Sequence, residues 1–245
     1  MSANKIIVMD TAEALHVRAA EEIAHVAGES ICTHGEFTLA LTGGSTPAPT
    51  YELLATRFHL SVDWKEVQFF WGDERCVPPD DPASNYGMAN RTMLSKLALR
   101  PEQVHRIRGE DSPAQAAEDY ERELRRCFGL DGSPDDFPSF NLVLLGLGDN
   151  AHVASLFPRH PALLEASRLA VAVEVEAEPP KRVSLTMPVI NAAQQVILIV
   201  SGEKKAAAVR NVLQGTDDPE QYPAQYVKGG EILWLLDKPA ASMLK

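Results

Sequence analysis

Apolar residues follow two alternating rhythms along this chain. Short β-type runs at KIIVMD (5–10), Phe37–Leu41, Val67–Trp71, Asn141–Leu145, Val196–Val200 and Ile232–Leu236 predict strands. Helical signals lie between them. Asp10-Thr11-Ala12-Glu13 has the spacing of a capping box, and Thr46 followed by Pro47 predicts an N-cap and a first helical residue. Ser112-Pro113-Ala114-Gln115 opens a helix whose apolar positions 117, 120, 124 and 128 repeat at helical spacing, with Gly129 as its C-terminal turn. A further helix is expected from about Glu203 to Gln214, stopping near Gly215.

Uninterrupted apolar strands between helices imply an α/β fold: a mainly parallel, Rossmann-like sheet with helices on both faces. Leu169–Met187 differs, with β-prone stretches flanking Pro179-Pro180 and no helix between them, which predicts a small antiparallel excursion. In open α/β sheets ligands bind beyond the carboxyl ends of the strands. The loops after Leu41, Trp71 and Leu145 are therefore expected along one rim.

Composition narrows the function. The 245 residues, 45% hydrophobic and 23% charged, support a sizeable core. No apolar run approaches the roughly 18 residues of a membrane span. MSANKIIVMDTAEAL lacks the basic flank and long apolar stretch of a signal peptide, so cytoplasmic residence is expected. Cys32, Cys76 and Cys127 stand far apart without a C-x-x-C pair and read as reduced thiols, not as a disulfide framework or zinc site. A net charge of −11 without a Lys/Arg cluster argues against a nucleic-acid partner. An anionic substrate would need a local pocket of positive charge.

Three segments carry chemistry. In Thr42-Gly43-Gly44-Ser45-Thr46-Pro47, two glycines allow close backbone approach to an anion at a helix start, and the alternative is a tight turn with no ligand. The GK[ST] ending of a Walker loop is missing. In Trp71-Gly72-Asp73-Glu74-Arg75 an extended chain puts Asp73 and Arg75 on one side and Glu74 on the other. Arg75 is then placed to fork onto phosphate oxygens and Asp73 to meet a hydroxyl or the base, the alternative being a surface ion pair. The third segment runs from Leu145-Gly146-Leu147-Gly148-Asp149-Asn150-Ala151 to His152, where a strand ends in G-x-G and a histidine follows. A dinucleotide fingerprint fails, because its third glycine falls on Ala151 and no suitable acid follows about 20 residues on. A lone histidine is more often structural; its place on the third ligand-rim loop favours function. His16, His25 and His34 lie nine residues apart and cannot converge on a metal, and neither an H-E-x-x-H set nor a G-x-S-x-G elbow is present.

Taken together, LTGGSTP (41–47), GDERCVP (72–78), SNYG (84–87), GLGDNAHVASLFP (146–158), PPKRVSLTMPVINAA (179–193) and SGEKKA (201–206) resemble the 6-phosphogluconolactonases, related in fold to glucosamine-6-phosphate deaminases and ribose-5-phosphate isomerases. The resemblance covers essentially the whole chain and implies one α/β domain over 1–245 with a glucosamine-6-phosphate isomerase/deaminase-like fold. It implies His152 as general base and Asp73 as catalytic helper. A phosphate site would come from Gly43, Gly44, Ser45, Arg75 and Arg182, with Lys205 in the position of the family's G-x-x-K-A lysine. Gly148, Asn150 and Ala151 are expected to support the loop and an oxyanion, and SNYG (84–87) to cap a helix near the site, with Asn85 structural and not catalytic. The family commonly reads Asp-Gly before this histidine, where the chain has Asn150-Ala151. Asn150 lacks the aspartate's charge but can replace its hydrogen bonds.

The implied reaction is hydrolysis of 6-phospho-D-glucono-1,5-lactone to 6-phospho-D-gluconate in the oxidative pentose phosphate pathway, with no cofactor or metal. The implied partner is the small phosphosugar lactone, without nucleic acid or membrane, on a monomer or small homo-oligomer. Two rivals are a glucosamine-6-phosphate deaminase or isomerase on the same fold and a catalytically silent sugar-phosphate binder. Ser155-Leu156-Phe157-Pro158 looks like the lactonase version of the segment after the histidine.

Overall fold

The computed structural model describes residues 4–133 and 136–245, so residues 1–3 of the N-terminal stretch read above lie outside the described residues. Six strands form a parallel sheet: β1 (Lys5–Met9), β2 (Phe37–Leu41), β3 (Val67–Trp71), β5 (Leu142–Leu145), β8 (Gln195–Val200) and β9 (Glu231–Asp237), in the order β1-β9-β8-β5-β2-β3. Every residue of β2 and β5 is buried. Successive side chains point to opposite faces, so both faces of the sheet centre are covered. Each predicted strand forms, within a residue or so of its expected ends.

The predicted excursion is a three-stranded antiparallel sheet ordered β4-β7-β6, built from β4 (Asp73–Arg75), β6 (Ala170–Glu174) and β7 (Lys181–Leu185). Helix α4 (Pro113–Phe128) packs against β6 and β7, while α1 (Ala12–His34) packs against α2 (Ala48–Ala55) and β9. Ser112 caps α4 and Gly129 closes it in the left-handed conformation (φ 63°), as the sequence predicts. Among the described residues, no helix is long and apolar enough to cross a membrane.

Three helix starts differ from expectation. Thr11, not Asp10, caps α1 by accepting from the Ala14 N–H at 3.2 Å. Pro47 takes the N-cap of α2 without a side-chain bond, so Thr46 stays in the loop. The segment expected as one helix from Glu203 is a 3₁₀ turn, Glu203–Lys205, leading into the helix Ala206–Gln214.

The site follows from strand order. From β2 the chain moves outward to β3, whereas β5 pairs on the other side of β2 and leads toward β8 and β9. The crevice between β2 and β5 is thus the topological switch point, where ligands of open α/β sheets bind. The loops leaving these strands touch there: Gly146 N–H donates to Thr42 Oγ1 at 3.2 Å.

Candidate active site

A cleft of about 550 Å³ opens at this switch point. Its wall includes Gly43, Gly44, Ser45, Asp73, Arg75, Gly148, Asn150, His152, Arg182 and Lys205. Three loops and two antiparallel strands, distant in sequence, therefore converge as the rim argument requires. Of the residues expected there, only Ala151 does not line the cleft, because it is fully buried beneath the loop.

The cationic end of the cleft is built by β4 and β7. Their register sets Arg75 directly opposite Arg182. Like charges facing each other across a strand pair are destabilising, and an anion between them reverses that sign. Arg182 is nearly buried at 5% exposure, held by a bond from its Nε to Pro179 O at 3.0 Å. Burial disfavours its charge, Asp73 supports it, and Arg75 opposes it. Arg75 Nη1 is anchored on Ala83 O at 2.7 Å.

Strand geometry sends Glu74 the other way, as expected. Its buried carboxylate accepts from the N–H groups of Arg75, Asn85 and Tyr86 at 2.7–2.8 Å and from Ser84 Oγ at 3.1 Å. It thereby ties β4 to the start of α3 (Asn85–Thr92). Burial pushes its carboxyl above the usual range, against the pull of those N–H bonds. Asp73 faces the cleft with both oxygens occupied: Asn85 Nδ2 donates to one at 3.2 Å and Ser155 Oγ to the other at 2.6 Å. Asn85 is structural in this sense, since it orients Asp73.

The glycine loop completes this end of the cleft. A Cβ on Gly43 would lie 1.8 Å from Asn85 Oδ1, so only glycine lets the backbone pass there. Gly44 sits at φ 91°, which favours the same residue. Among the described residues, nothing accepts from the backbone N–H groups of Gly43, Gly44, Ser45 or Thr46. They remain as donors at the cleft wall.

At the other end, His152 is half-buried and locked from three sides. Its ring stacks on Phe157, with centroids 4.0 Å apart and planes 13° from parallel. Gly148 lies so close beneath it that a Cβ there would fall 2.0 Å from Nδ1. Asn150 Oδ1 stands 2.6 Å from Nδ1 and also accepts the His152 backbone N–H at 3.3 Å. A backbone donor fixes that atom as the amide oxygen. The ring therefore carries its proton on Nδ1, leaving the Nε2 lone pair unprotonated.

Two expectations need correction. The oxyanion donors sought at Gly148 and Ala151 are engaged inside the loop: Gly148 N–H donates to His152 O and Ala151 N–H to Gly148 O, each at 2.9 Å. The imidazole also does not keep a reference value near 6.5. Burial first, then Arg182 and Lys205, push it down to about 4, with only Asp149 opposing. Lys205 lies at the cleft but is paired with Asp149, Nζ to Oδ1 at 2.5 Å. Asp149 thus faces the lysine while Asn150 faces the histidine.

Sequence reasoning gave no role to Phe157 and Ser155, which support His152 and Asp73. Their signal was the SLFP segment itself, adjacent to the histidine.

Together these features define an α/β protein with a cation-lined cleft and one imidazole at the carboxyl edge of its sheet. Residues 10–234 match the family described as glucosamine-6-phosphate isomerases/6-phosphogluconolactonase, and the chain belongs to that family. It is 39% identical over 239 residues to a 6-phosphogluconolactonase of Nostoc sp., covering 97% of both chains. It is also 39% identical over 219 residues to one of Synechocystis sp., covering 89% of this chain and 88% of that one. Among solved structures, the 6-phosphogluconolactonase from Trypanosoma cruzi superposes with a TM-score of 0.88 at 30% identity, covering 100% of this chain and 98% of that one.

Proposed function

We propose that this protein hydrolyses 6-phospho-D-glucono-1,5-lactone to 6-phospho-D-gluconate, with His152 as general base. The observation that carries the reading is a single imidazole, fixed with Nε2 unprotonated, in the same cleft as two arginines paired across strands. The relatives named above as 6-phosphogluconolactonases support the choice of substrate.

Arg75 and Arg182, with the Gly43–Ser45 N–H groups, would grip the phosphate and leave the ring carbonyl near His152. Nε2 takes a proton from water as that water adds to C1. The imidazolium then returns the proton to the ring oxygen as the C1–O bond breaks. The field of Arg182 and Lys205, which acts on the imidazole, also favours negative charge on the carbonyl oxygen, beside the N–H groups of Asp149 and Asn150. Asp73 would orient water or a substrate hydroxyl as catalytic helper.

A base held near 4 is weak; burial is the first cause and stays in the complex, but a bound phosphate dianion offsets the cations that add to it and raises basicity part of the way back. Asn150 acts as a positioning residue: it selects the reactive tautomer without supplying charge. The silent-binder alternative is motivated by Asn150 and Ala151 in place of Asp-Gly; against it, Asn150 keeps a hydrogen bond to the imidazole, though not the aspartate's charge. The remaining assignments are one catalytic domain over 1–245, acting in the cytoplasm as a monomer or small homo-oligomer; the free thiols of Cys32, Cys76 and Cys127 suit that compartment.

The test is lactone disappearance measured against the spontaneous background. His152→Ala should lower kcat by ~10²–10⁴-fold while still binding 6-phosphogluconate. Wild-type kcat in that variant removes His152 as the base.

A further inference from the structure

Away from the cleft, the fold gathers three ligand-type side chains that sequence spacing leaves 4 to 22 residues apart: His105, Glu123 and Cys127. Glu123 and Cys127 are one turn apart on the last turns of α4. His105 lies beside β3, its N–H donating to Phe69 O at 2.8 Å and its buried ring stacked on Phe70 at 4.4 Å. None of the three lines the cleft.

Their ligating atoms form a compact triangle. Nδ1 is 2.7 Å from Glu123 Oε1, Sγ is 3.5 Å from Nδ1, and Sγ is 3.6 Å from Oε1. Tetrahedral bonds of about 2.3 Å to sulfur and about 2.0–2.1 Å to nitrogen or oxygen give edges of roughly 3.5 Å at sulfur and roughly 3.3 Å between nitrogen and oxygen. Both sulfur edges already fit. The third is a hydrogen bond, and it opens by roughly half an ångström when an ion replaces the shared proton. On the far side of the ring, Gln68 Oε1 lies 3.0 Å from Nε2. An acceptor there holds the remaining ring proton, the usual outer partner of a ligating imidazole.

We propose that His105, Glu123 and Cys127 form a tetrahedral site for a divalent zinc-type ion, with water as fourth ligand. Binding releases the thiol proton to solvent and leaves the single proton of the neutral ring on Nε2, facing Gln68. Neutral imidazole, carboxylate and thiolate then leave the site electrically neutral around the dication, so its partial burial costs little. Arg126 is the competitor: its guanidinium donates to both Glu123 oxygens at 2.6 and 3.0 Å and to Cys127 Sγ at 3.3 Å. Its side chain is 67% exposed and free to swing outward. The ion would tie the end of α4 to the segment leaving β3, as a structural clip independent of lactone chemistry.

Cobalt(II) is the probe, titrated into the full-length, metal-stripped protein under reducing conditions. One equivalent should bind, giving tetrahedral visible bands and a near-ultraviolet thiolate-to-cobalt band. Cys127→Ser should abolish the near-ultraviolet band, and Arg126→Ala should lower the Kd several-fold by removing the competing cation. Zinc should displace cobalt and raise the Tm of the wild type but not of Cys127→Ser. Absence of the thiolate band, or its persistence in Cys127→Ser, overturns the site.

Discussion

Two glycine loops leave neighbouring strands of this sheet, and they serve opposite purposes. After β2, Gly43 to Thr46 keeps its N–H groups unengaged at the cleft, so the backbone itself is what this loop presents. After β5, the N–H groups of Gly148 and Ala151 close within the loop, that of His152 goes to Asn150 Oδ1, and the element presented is a side chain. Glycine is needed in both, for different neighbours: Gly43 makes room for Asn85, Gly148 for the imidazole. A glycine-rich turn at a strand end therefore does not by itself specify an anion site. What decides is where its hydrogen bonds go.

The largest effect that would break this comparison is at Gly148. Alanine there must displace the imidazole, so kcat should fall by ~10²-fold, on the scale of lost acid–base catalysis, with KM little changed. A variant with normal kcat would show that the ring need not sit where it does. Arg75→Ala probes the other loop's end. Losing a charge-assisted phosphate contact of about 1.5–3 kcal/mol should raise KM by roughly tenfold to 150-fold, with kcat less affected. An unchanged KM removes Arg75 from the anion site.

Smaller effects come from the residues just before the histidine. In the free protein His152 titrates near 4, below its usual value of 6.5. The acid limb of kcat/KM should thus lie near 4 and that of kcat higher, because bound phosphate offsets Arg182 and Lys205. Asn150→Asp adds a carboxylate against Nδ1 and should move the kcat/KM limb up by about one unit; NMR titration of the ring checks the same shift directly. For stability the sign is fixed as well. A histidine depressed in the folded state takes up its proton first in the unfolded chain, so its contribution is complete above about 6.5 and is lost as pH falls toward 4.

The smallest effect is at Ala151, an L-residue at φ 65° with no exposure. Ala151→Gly relieves left-handed strain but removes a buried methyl group and loosens the unfolded chain. Denaturant unfolding should place it within about 1 kcal/mol of wild type. A much larger loss would mean that the methyl anchors the loop.

Much of this was legible in the chain. Predominantly apolar runs at Phe37–Leu41 and Val67–Trp71, broken only by Thr38 and Gln68, predicted strands that formed at those bounds, because burial leaves little polar alternation to blur them. The extended segment after Trp71 placed Asp73 and Arg75 together and Glu74 apart through the two-residue period of a strand. Helix starts were less secure. Asp10 and Thr11 both cap well, as do neighbours of Pro47, and local propensity does not choose between adjacent candidates. Which loop donors are satisfied was not legible, nor was the meeting of His105 with Cys127, since both depend on contacts between distant segments.

By itself, then, the sequence determined the strand and helix inventory, the rim of loops, and the residue types able to bind an anion and move a proton. These follow from periodicity and side-chain chemistry, which are local. Only the tertiary structure decided that Arg75 faces Arg182, that Asn150 and not Asp149 holds the imidazole, and that His152 is driven well below its usual basicity. Each of these depends on register across strands, on closed hydrogen-bond geometry or on burial among distant charges, and none of those is a property of neighbouring residues along the chain.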